Sequence, residues 1–159
     1  MYAYLSLGSN LGDRQALLTE AVRLLGERTG RVVLLSSFVE TEPWGFQSDN
    51  PFLNAALCLE TPLGPTALLD ATQQMERDLG RTAKSADGVY ADRPIDIDLL
   101  LCGDSPLRCD LLLDTPRLTL PHPLMHRPDF VLRPLAEIAP TLVHPTLHRT
   151  VAQLLAGLQ

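Results

Sequence analysis

The segment RPIDIDLLL, residues 93–101, places Asp96 and Asp98 one residue apart in an otherwise apolar stretch. In a β-strand, residues two apart project from the same face about 6.6–7 Å apart, so the two carboxylates share one surface while Ile95 and Ile97 point into the core. Two such carboxylates repel each other, and a divalent cation between them removes that cost. Hard oxygen ligands with open coordination positions suit Mg²⁺ bound together with phosphate groups. Taken alone, such a pair is more often two solvated side chains on an exposed sheet face.

Basic residues gather on both sides of this pair in a chain whose formal net charge is -6. Such an acidic balance argues against a general nucleic-acid or membrane-surface binder, so an anionic ligand must meet a local basic cluster. Guanidinium groups bind phosphate oxygens in bidentate fashion, and a metal with several arginines is what phosphoryl transfer requires. The cluster therefore favours the metal interpretation; its members are Arg81, Lys84, Arg93, Arg117 and Arg127.

Two further stretches bear on the ligand. The segment GSNLG, residues 8–12, is too short for a P-loop and lacks its lysine, so phosphate binding must rely on side chains and metal. Trp44, Phe46 and Phe52 lie close to Asn54 in a chain that is 5% aromatic. A flat heterocycle can stack on such rings while Asn54 and loop backbone groups bind its edge, although Phe46 is expected to be core.

The elements that must position these residues follow from periodicity. Alternation predicts strands at 2–8, 31–41, 52–61 and 94–103, and helical spacing predicts helices that end near Gly30 and Gly80. The order β-α-β-β-α-β indicates an α+β, ferredoxin-like antiparallel sheet with two helices on one face, leaving the other face free for ligand. A short strand at 117–121 and a C-terminal helical extension at 129–139 and 150–158 follow. We expect one domain, residues 1–159.

Cysteine and histidine usage leaves one alternative metal chemistry. Cys102 and Cys109 precede His122 and His126, and His144 and His148 follow, which resembles a zinc ligand set. The cysteine spacing is wider than in usual zinc sites, so free structural thiols in a reducing compartment are favoured. With no signal-peptide pattern at the N-terminus, the cytoplasm is the expected location.

Several motifs, in order along the chain, resemble one family, 6-hydroxymethyl-7,8-dihydropterin pyrophosphokinase. The matching stretches are LSLGSNLGDR, SSFVETEPWG, FLNAALCLET, RPIDIDLLL, RLTLPHP and FVLRPLAEIAP. The resemblance covers nearly the whole chain. It implies transfer of the β,γ-diphosphate of ATP to the hydroxymethyl group of the dihydropterin, with release of AMP, in folate biosynthesis.

The resemblance also implies roles for individual residues. Asp96 and Asp98 would hold two Mg²⁺ ions that bridge the ATP phosphates, and Arg127 falls on a catalytic-loop arginine. The pterin would be sandwiched by Phe52 and Phe130, with Asp96 beside it and its edge bound by Asn54 and by the backbone of Thr41, Glu42 and Trp44. The nucleotide would be lined by Glu76, Arg81, Lys84, Arg93, Ile97, Arg117, Thr119 and His122, of which Arg81 and Arg93 would also be catalytic.

The chain departs from the family near the aspartates. Tyr90 stands where a tryptophan often covers the site, and Lys84 follows Ala83 where a second arginine is expected. The implied mechanism uses positioning and electrostatics without a covalent nucleophile, and Asp96 or Asp98 could accept the hydroxyl proton. ATP and the dihydropterin are the expected partners of a monomer, and contact with neighbouring folate-pathway enzymes stays open.

Two other functional classes remain at this point. A ferredoxin-like ligand-sensing module would use the sheet face without the metal pair and would bind its ligand without ATP. A two-metal nucleotidyltransferase or cyclase could use the same aspartates, but it would release diphosphate and leave AMP on the acceptor. The nucleotide product distinguishes these classes from a pyrophosphokinase.

Overall fold

The computed structural model describes residues 1–41, 51–80 and 94–158. Seven strands and four helices occur in these ranges, in close agreement with the elements predicted above. The strands are β1 Tyr2–Ser9, β2 Arg31–Leu35, β3 Val39–Thr41, β4 Phe52–Glu60, β5 Asp96–Gly103, β6 Leu113–Asp114 and β7 Thr119–Leu120. The helices are α1 Arg14–Arg28, α2 Pro65–Asp78, α3 Asp129–Ile138 and α4 Val151–Ala156.

The main sheet is antiparallel, with the strand order β2-β4-β1-β5 and with β3 also pairing with β4. Helices α1 and α2 contact each other and pack against the sheet, α1 on β1 and β4 and α2 on β5. This arrangement confirms the predicted α+β, ferredoxin-like fold. The strands β6 and β7 form a separate hairpin, which contacts the main sheet beside β5.

The predicted continuous strand 31–41 is wrong in one respect, because the chain leaves the ladder between β2 and β3. The Ser36 hydroxyl accepts a hydrogen bond from Ala56 N at 2.9 Å and donates to Ser37 O at 2.8 Å. Ser37 is in turn held by the Glu137 carboxylate of α3, through its N–H at 2.9 Å and its hydroxyl at 2.8 Å. The Ser36 N–H still donates to Ala56 O at 2.9 Å, so the Ser36 hydroxyl takes the place of one backbone acceptor of the ladder, an effect that strand propensity does not reveal.

The core has two parts, one on each face of the sheet. On the first face, leucines of α1 and α2 pack against strand residues such as Leu5, Leu57 and Ile97. On the second face, α3 and α4 pack against Tyr4, Cys58 and Leu100. The alternation predicted for β4 is confirmed, since Leu57 and Leu59 belong to the first part and Ala56 and Cys58 to the second.

The sequence predicted that the second face is free for ligand, but in the structure this face is only partly free. The C-terminal helices cover one end of it, because the sequence of α3 presents a strongly apolar stripe that must be buried. The other end carries polar side chains from three adjacent strands. Among the residues that the structure describes, this polar end is the part of the second face left for a ligand, and several of the candidate residues lie there.

Candidate active site

The polar end of the second face is built by strand register. Gly8 of β1 lies opposite Asn54 of β4 on one side and opposite Asp96 of β5 on the other. Two residues earlier in β1, Ser6 lies opposite Ala56 of β4 on one side and opposite Asp98 of β5 on the other. Residues directly opposite in a ladder share a face, and neighbouring strands are about 4.7–4.9 Å apart, so the backbones at Asn54 and Asp96 are about 10 Å apart.

Gly8 forms the floor between the two flanking side chains. A Cβ atom added at Gly8 would lie 3.0 Å from Asn54 Oδ1 and 3.5 Å from Phe52 Cδ1. The contact with Asn54 Oδ1 is short enough that the amide must shift slightly, whereas the distance to Phe52 is an ordinary van der Waals contact. The glycine thus leaves open a shallow bay that Asn54 and Phe52 border on one side and Asp96 on the other. This role was not predicted from the sequence, where Gly8 belonged to a predicted strand, to a phosphate-loop pattern and to one of the family stretches.

Asn54 is fixed in this bay by one polar contact. Its side chain is 2% exposed, and its Nδ2 donates to Thr41 Oγ1 at 2.5 Å. With the amide nitrogen engaged at β3, the oxygen Oδ1 is the atom that borders the bay at Gly8. An oriented, buried amide of this kind can bind the hydrogen-bonding edge of a heterocycle.

The two predicted stacking rings lie on different elements. Phe52 begins β4, and its ring borders the bay beside Gly8. Phe130 lies in the first turn of α3 and is half-buried against the second part of the core. Because α3 packs on β3 and β4, both rings belong to the same side of the sheet.

Asp96 and Asp98 are both half-buried at the start of β5 and project on the same face, whereas Ile95 and Ile97 are buried on the other side. The prediction from the spacing therefore holds. Within the described part of the chain, no group of three or more His, Cys, Asp or Glu side chains could hold a metal ion. A cation at this pair would complete its coordination with ligand oxygens and water, which is the usual state of Mg²⁺ bound with phosphates.

Glu76 is buried beneath the same strand. It lies on α2, is 6% exposed, and accepts a hydrogen bond from Ile97 N at 2.8 Å through Oε2. The nucleotide-lining role that the resemblance implies for Glu76 and Ile97 stays a prediction. The backbone contact itself has no signal in the sequence, because it joins residues 21 positions apart.

His122 lies next to the carboxylates and is held in one orientation. Its backbone N–H donates to Leu100 O at 2.8 Å, and its ring Nδ1 accepts from Leu124 N at 3.1 Å. Burial lowers the pKa of the His122 imidazole below its ordinary value, and the nearby Asp96 carboxylate opposes part of this shift. The ring is therefore neutral at pH 7, with the proton on Nε2, and acts as a hydrogen-bond donor.

We expect nitrogen-15 NMR at pH 7 to show His122 as the neutral tautomer protonated at Nε2. As the pH falls through about 6.5, where an unperturbed histidine gains its proton, His122 should remain neutral, because protonation at Nδ1 would break the bond from Leu124 N. A His122→Gln variant identifies the signals by their loss. An imidazolium or an Nδ1-protonated ring at pH 7 would contradict the assignment.

The remaining described candidates lie on or beside the β6–β7 hairpin and just before α3. Arg117 is half-exposed next to β7, and its Nη2 lies 2.6 Å from Asp70 Oδ1 of α2. Arg127 is exposed just before α3. Thr119 and His122 line a cavity of about 440 Å³ beside the β6–β7 hairpin, and the other walls are Leu112, Leu113, Asp114, Leu120, Pro121, Pro123, His126, His144, Thr146 and Leu147.

Five predicted site residues lie outside the ranges that the structure describes. They are Glu42 and Trp44 on the pterin side and Arg81, Lys84 and Arg93 on the phosphate side. Tyr90, the residue that departs from the family pattern, lies there too. Their roles stay predictions from the sequence.

The zinc alternative finds no support in residues 1–41, 51–80 and 94–158. Cys58, Cys102 and Cys109 are buried free thiols, as expected. Burial raises the pKa of Cys102 and of Cys109 to about 12 each. In these ranges neither thiol belongs to a group of three or more His, Cys, Asp or Glu side chains that could hold a metal ion. Among the helices of the described residues, none has the length and apolar character needed to span a membrane.

The comparisons with known proteins agree on one family. The profile described as "7,8-dihydro-6-hydroxymethylpterin-pyrophosphokinase (HPPK)" matches residues 4–140. A Porphyromonas gingivalis protein named 2-amino-4-hydroxy-6-hydroxymethyldihydropteridine pyrophosphokinase is 55% identical over 142 residues, which cover 89% of this chain and 92% of that protein. A Bacillus subtilis protein of the same name is 42% identical over 137 residues, which cover 86% of this chain and 77% of that protein.

A solved structure agrees at the level of the fold. The crystal structure of Plasmodium falciparum HPPK-DHPS wild type with SDX-DHP superposes on 98% of this chain with a TM-score of 0.74 and 15% sequence identity. The present chain spans 44% of that longer chain. At this identity the similarity concerns the fold alone.

Proposed function

Because this chain belongs to the 7,8-dihydro-6-hydroxymethylpterin pyrophosphokinase family, we propose that it transfers the β,γ-diphosphate of ATP to the hydroxymethyl group of 6-hydroxymethyl-7,8-dihydropterin, with release of AMP, in folate biosynthesis. One structural observation carries the proposal. The cross-strand row Asn54–Gly8–Asp96 joins an oriented buried amide, an open floor and a carboxylate of the metal pair on one face. A pterin bound at the Asn54 end of this row presents its hydroxymethyl group to the ATP phosphates at the Asp96 end.

The pterin half of the site is centred on the bay at Gly8. Phe52 and Phe130 supply aromatic faces for stacking, Asn54 binds the polar edge, and Asp96 closes the far side. Offset stacking of rings adds about 0.5–1.5 kcal/mol to the burial of apolar area. The backbone of Thr41, Glu42 and Trp44 completes the edge contacts in this proposal.

The nucleotide half lies on the β5, β7 and α2 side. His122 donates from Nε2 towards the phosphates, and Thr119 and Arg117 contact the nucleotide from the hairpin. The basic side chains Arg81, Lys84, Arg93 and Arg127 neutralise the phosphate chain. Guanidinium groups suit this task because their donors match phosphate oxygens in pairs. Glu76 borders the nucleotide from α2, and Ile97 borders it from β5.

The donor set at β5 fits the proposed two Mg²⁺ ions. Asp96 and Asp98 offer hard carboxylate oxygens on one face, half-buried and open towards ligand. When bound, Mg²⁺ supplies charge neutralisation for the phosphate chain and a template that orients it. Asp96 lies both at the metal pair and in the pterin row, and therefore links the two halves.

The protein's own contribution to the reaction is positioning. Phe52, Phe130 and Asn54 fix the pterin so that its hydroxymethyl oxygen attacks the β-phosphorus in line with the bond to the leaving AMP. A new oxygen–phosphorus bond forms, the bond between the α,β-bridging oxygen and the β-phosphorus breaks, and Asp96 or Asp98 accepts the hydroxyl proton. Such pre-organisation replaces covalent catalysis here.

The experiment that tests this function is incubation with ATP, Mg²⁺ and 6-hydroxymethyl-7,8-dihydropterin, with chromatography of the nucleotides. We expect AMP to form only when all three are present, in amounts equal to the pterin consumed. Release of diphosphate with AMP joined to the acceptor would indicate a nucleotidyltransferase instead. Pterin binding without any nucleotide turnover would indicate a ligand-sensing module.

We further propose that residues 1–159 form one pyrophosphokinase domain that works as a monomer in the cytoplasm. Both parts of the core share the same sheet, which supports a single folding unit. Sedimentation of the purified protein tests the monomer directly.

Replacing Phe52 with leucine should weaken pterin binding by about 1–2 kcal/mol, because most apolar area is kept while ring-on-ring contact is lost. Binding of a non-hydrolysable ATP analogue should stay close to normal. Isothermal titration with each ligand separately measures both effects. Phe38→Leu is the matched control, since Phe38 packs on the first part of the core. Lost nucleotide affinity with normal pterin affinity would show that the two halves are reversed.

Replacing Gly8 with alanine should selectively weaken pterin binding. The new methyl group would lie 3.0 Å from Asn54 Oδ1 and would enter the bay, so the amide that Thr41 holds must shift from its present position. We expect a loss of about tenfold or more in pterin affinity, in line with the usual cost of overpacking. Gly64→Ala is the control, because a Cβ there meets no atom within 4 Å. Unchanged pterin binding in Gly8→Ala would remove the bay from the proposed site.

A further inference from the structure

Glu76 reaches the candidate metal pair from the opposite layer of the protein. It lies on α2, which packs on the first face, whereas Asp96 and Asp98 project from the second face. Its buried carboxylate accepts the backbone N–H of Ile97, the residue between the two aspartates, at 2.8 Å. We propose that Glu76 is a positioning residue, which fixes the β5 backbone so that both aspartate carboxylates keep the spacing that binds Mg²⁺. The link to Mg²⁺ rests on the proposed function.

The sheet topology explains why Ile97 needs a partner of this kind. β5 is the last strand in the order β2-β4-β1-β5, so one of its sides has no neighbouring strand in the main sheet. In an antiparallel ladder, the N–H groups of successive residues point alternately to the partner strand and away from it. The Ile97 N–H meets Glu76 rather than β1, and therefore points to the open side.

Backbone groups on the open side of β5 form hydrogen bonds at Ile97, Leu100 and Cys102. Beyond a register shift in the β1–β5 pairing, Leu100 O accepts from His122 N at 2.8 Å and Cys102 O accepts from Leu111 N at 3.0 Å. Both of these partners are backbone groups of the following chain. At Ile97 the partner is a carboxylate, which forms a stronger, charge-assisted bond. A charge-assisted bond thus holds the strand between the two aspartates.

This anchor acts on both carboxylates at once. Ile95 and Ile97 are buried in the first part of the core, so a rotation of the backbone at Ile97 moves Asp96 and Asp98 together. Octahedral Mg²⁺ tolerates little error in ligand position. A hydrogen bond from the layer beneath is therefore a direct means of keeping the pair in a metal-binding geometry.

The test compares two variants of similar size. Glu76→Gln keeps an acceptor oxygen for Ile97 N–H, whereas Glu76→Met keeps the length and fills the buried space without that acceptor. Gln74→Ala, at an exposed position of the same helix, is the control. Circular dichroism and thermal unfolding show that each variant is folded before the other measurements are made.

Two readouts separate positioning from a merely structural role. In the metal-free protein, we expect Glu76→Met to speed hydrogen exchange of the Ile97 amide about tenfold or more, while Glu76→Gln stays close to wild type. With Mn²⁺ and a non-hydrolysable ATP analogue, Glu76→Met should raise the Mn²⁺ concentration for half-saturation several-fold, and Glu76→Gln should restore most of the affinity.

Two results would overturn the inference. Wild-type exchange at Ile97 and wild-type Mn²⁺ affinity in Glu76→Met would remove the anchor. Equal damage in Glu76→Gln and Glu76→Met would show that the carboxylate charge matters rather than the bond to Ile97. Because the exchange measurement uses metal-free protein, it reports on the anchor even if the protein fails to form AMP, so the two failures are distinguishable.

Discussion

Replacing Asp96 or Asp98 with alanine is expected to lower turnover about 10³-fold or more, while the protein stays folded. The loss of turnover follows because these carboxylates hold the cation that neutralises the phosphate chain, a contribution of several kcal/mol to the barrier. The fold should survive because both side chains are half-buried at the start of β5 and carry like charges, so removal of one relieves repulsion.

The measurement is steady-state AMP formation at saturating ATP, pterin and Mg²⁺, together with thermal unfolding. Asp104→Ala is the matched control, because Asp104 is exposed just beyond β5. Near-normal turnover in either site variant would remove that residue from the catalytic machinery. A severe loss of turnover in Asp104→Ala would show that acidic residues act here only through long-range charge.

Replacing Asn54 with alanine is expected to weaken pterin binding by about 1–3 kcal/mol, because the polar edge of the heterocycle loses its partner in a buried place. The Asn54 amide is 2% exposed and already oriented by Thr41 Oγ1, so little entropy is lost when the pterin binds. Affinity for a non-hydrolysable ATP analogue should stay close to normal. Isothermal titration with each ligand alone measures the difference.

Thr41→Val separates orientation of the amide from the amide itself. This change removes the hydroxyl that accepts from Asn54 Nδ2 at 2.5 Å but keeps the side-chain shape and the Thr41 backbone. We expect a smaller loss of pterin affinity than in Asn54→Ala. A larger loss would mean that the Thr41 hydroxyl, rather than the Asn54 amide, binds the pterin.

The parts of the fold that depend on local patterns could be predicted from the sequence. Alternation in β4 assigned Leu57 and Cys58 to opposite faces, and the D-x-D spacing placed Asp96 and Asp98 on one surface. Both results need only the geometry of a single strand. The helices α1 and α2 followed from their apolar spacing in the same way.

The parts that depend on partners distant in sequence could not be predicted. The irregular pairing after β2 includes a bond from Ala56 N to the Ser36 hydroxyl, and the anchor at Ile97 comes from Glu76 on another layer. The division of the second face was missed for the same reason, since it depends on where α3 packs. The bay at Gly8 required the register of three strands, which the sequence alone does not give.

The most direct test of the proposed reaction is the fate of the β-phosphorus of ATP. With ATP labelled at the β-phosphate, Mg²⁺ and 6-hydroxymethyl-7,8-dihydropterin, we expect all transferred label to appear in the pterin product and the AMP to be unlabelled. Label retained in ADP would show transfer of the γ-phosphate alone. Label released as free diphosphate, with the α-phosphate joined to the pterin, would show nucleotidyl transfer, and either result would contradict the proposed reaction.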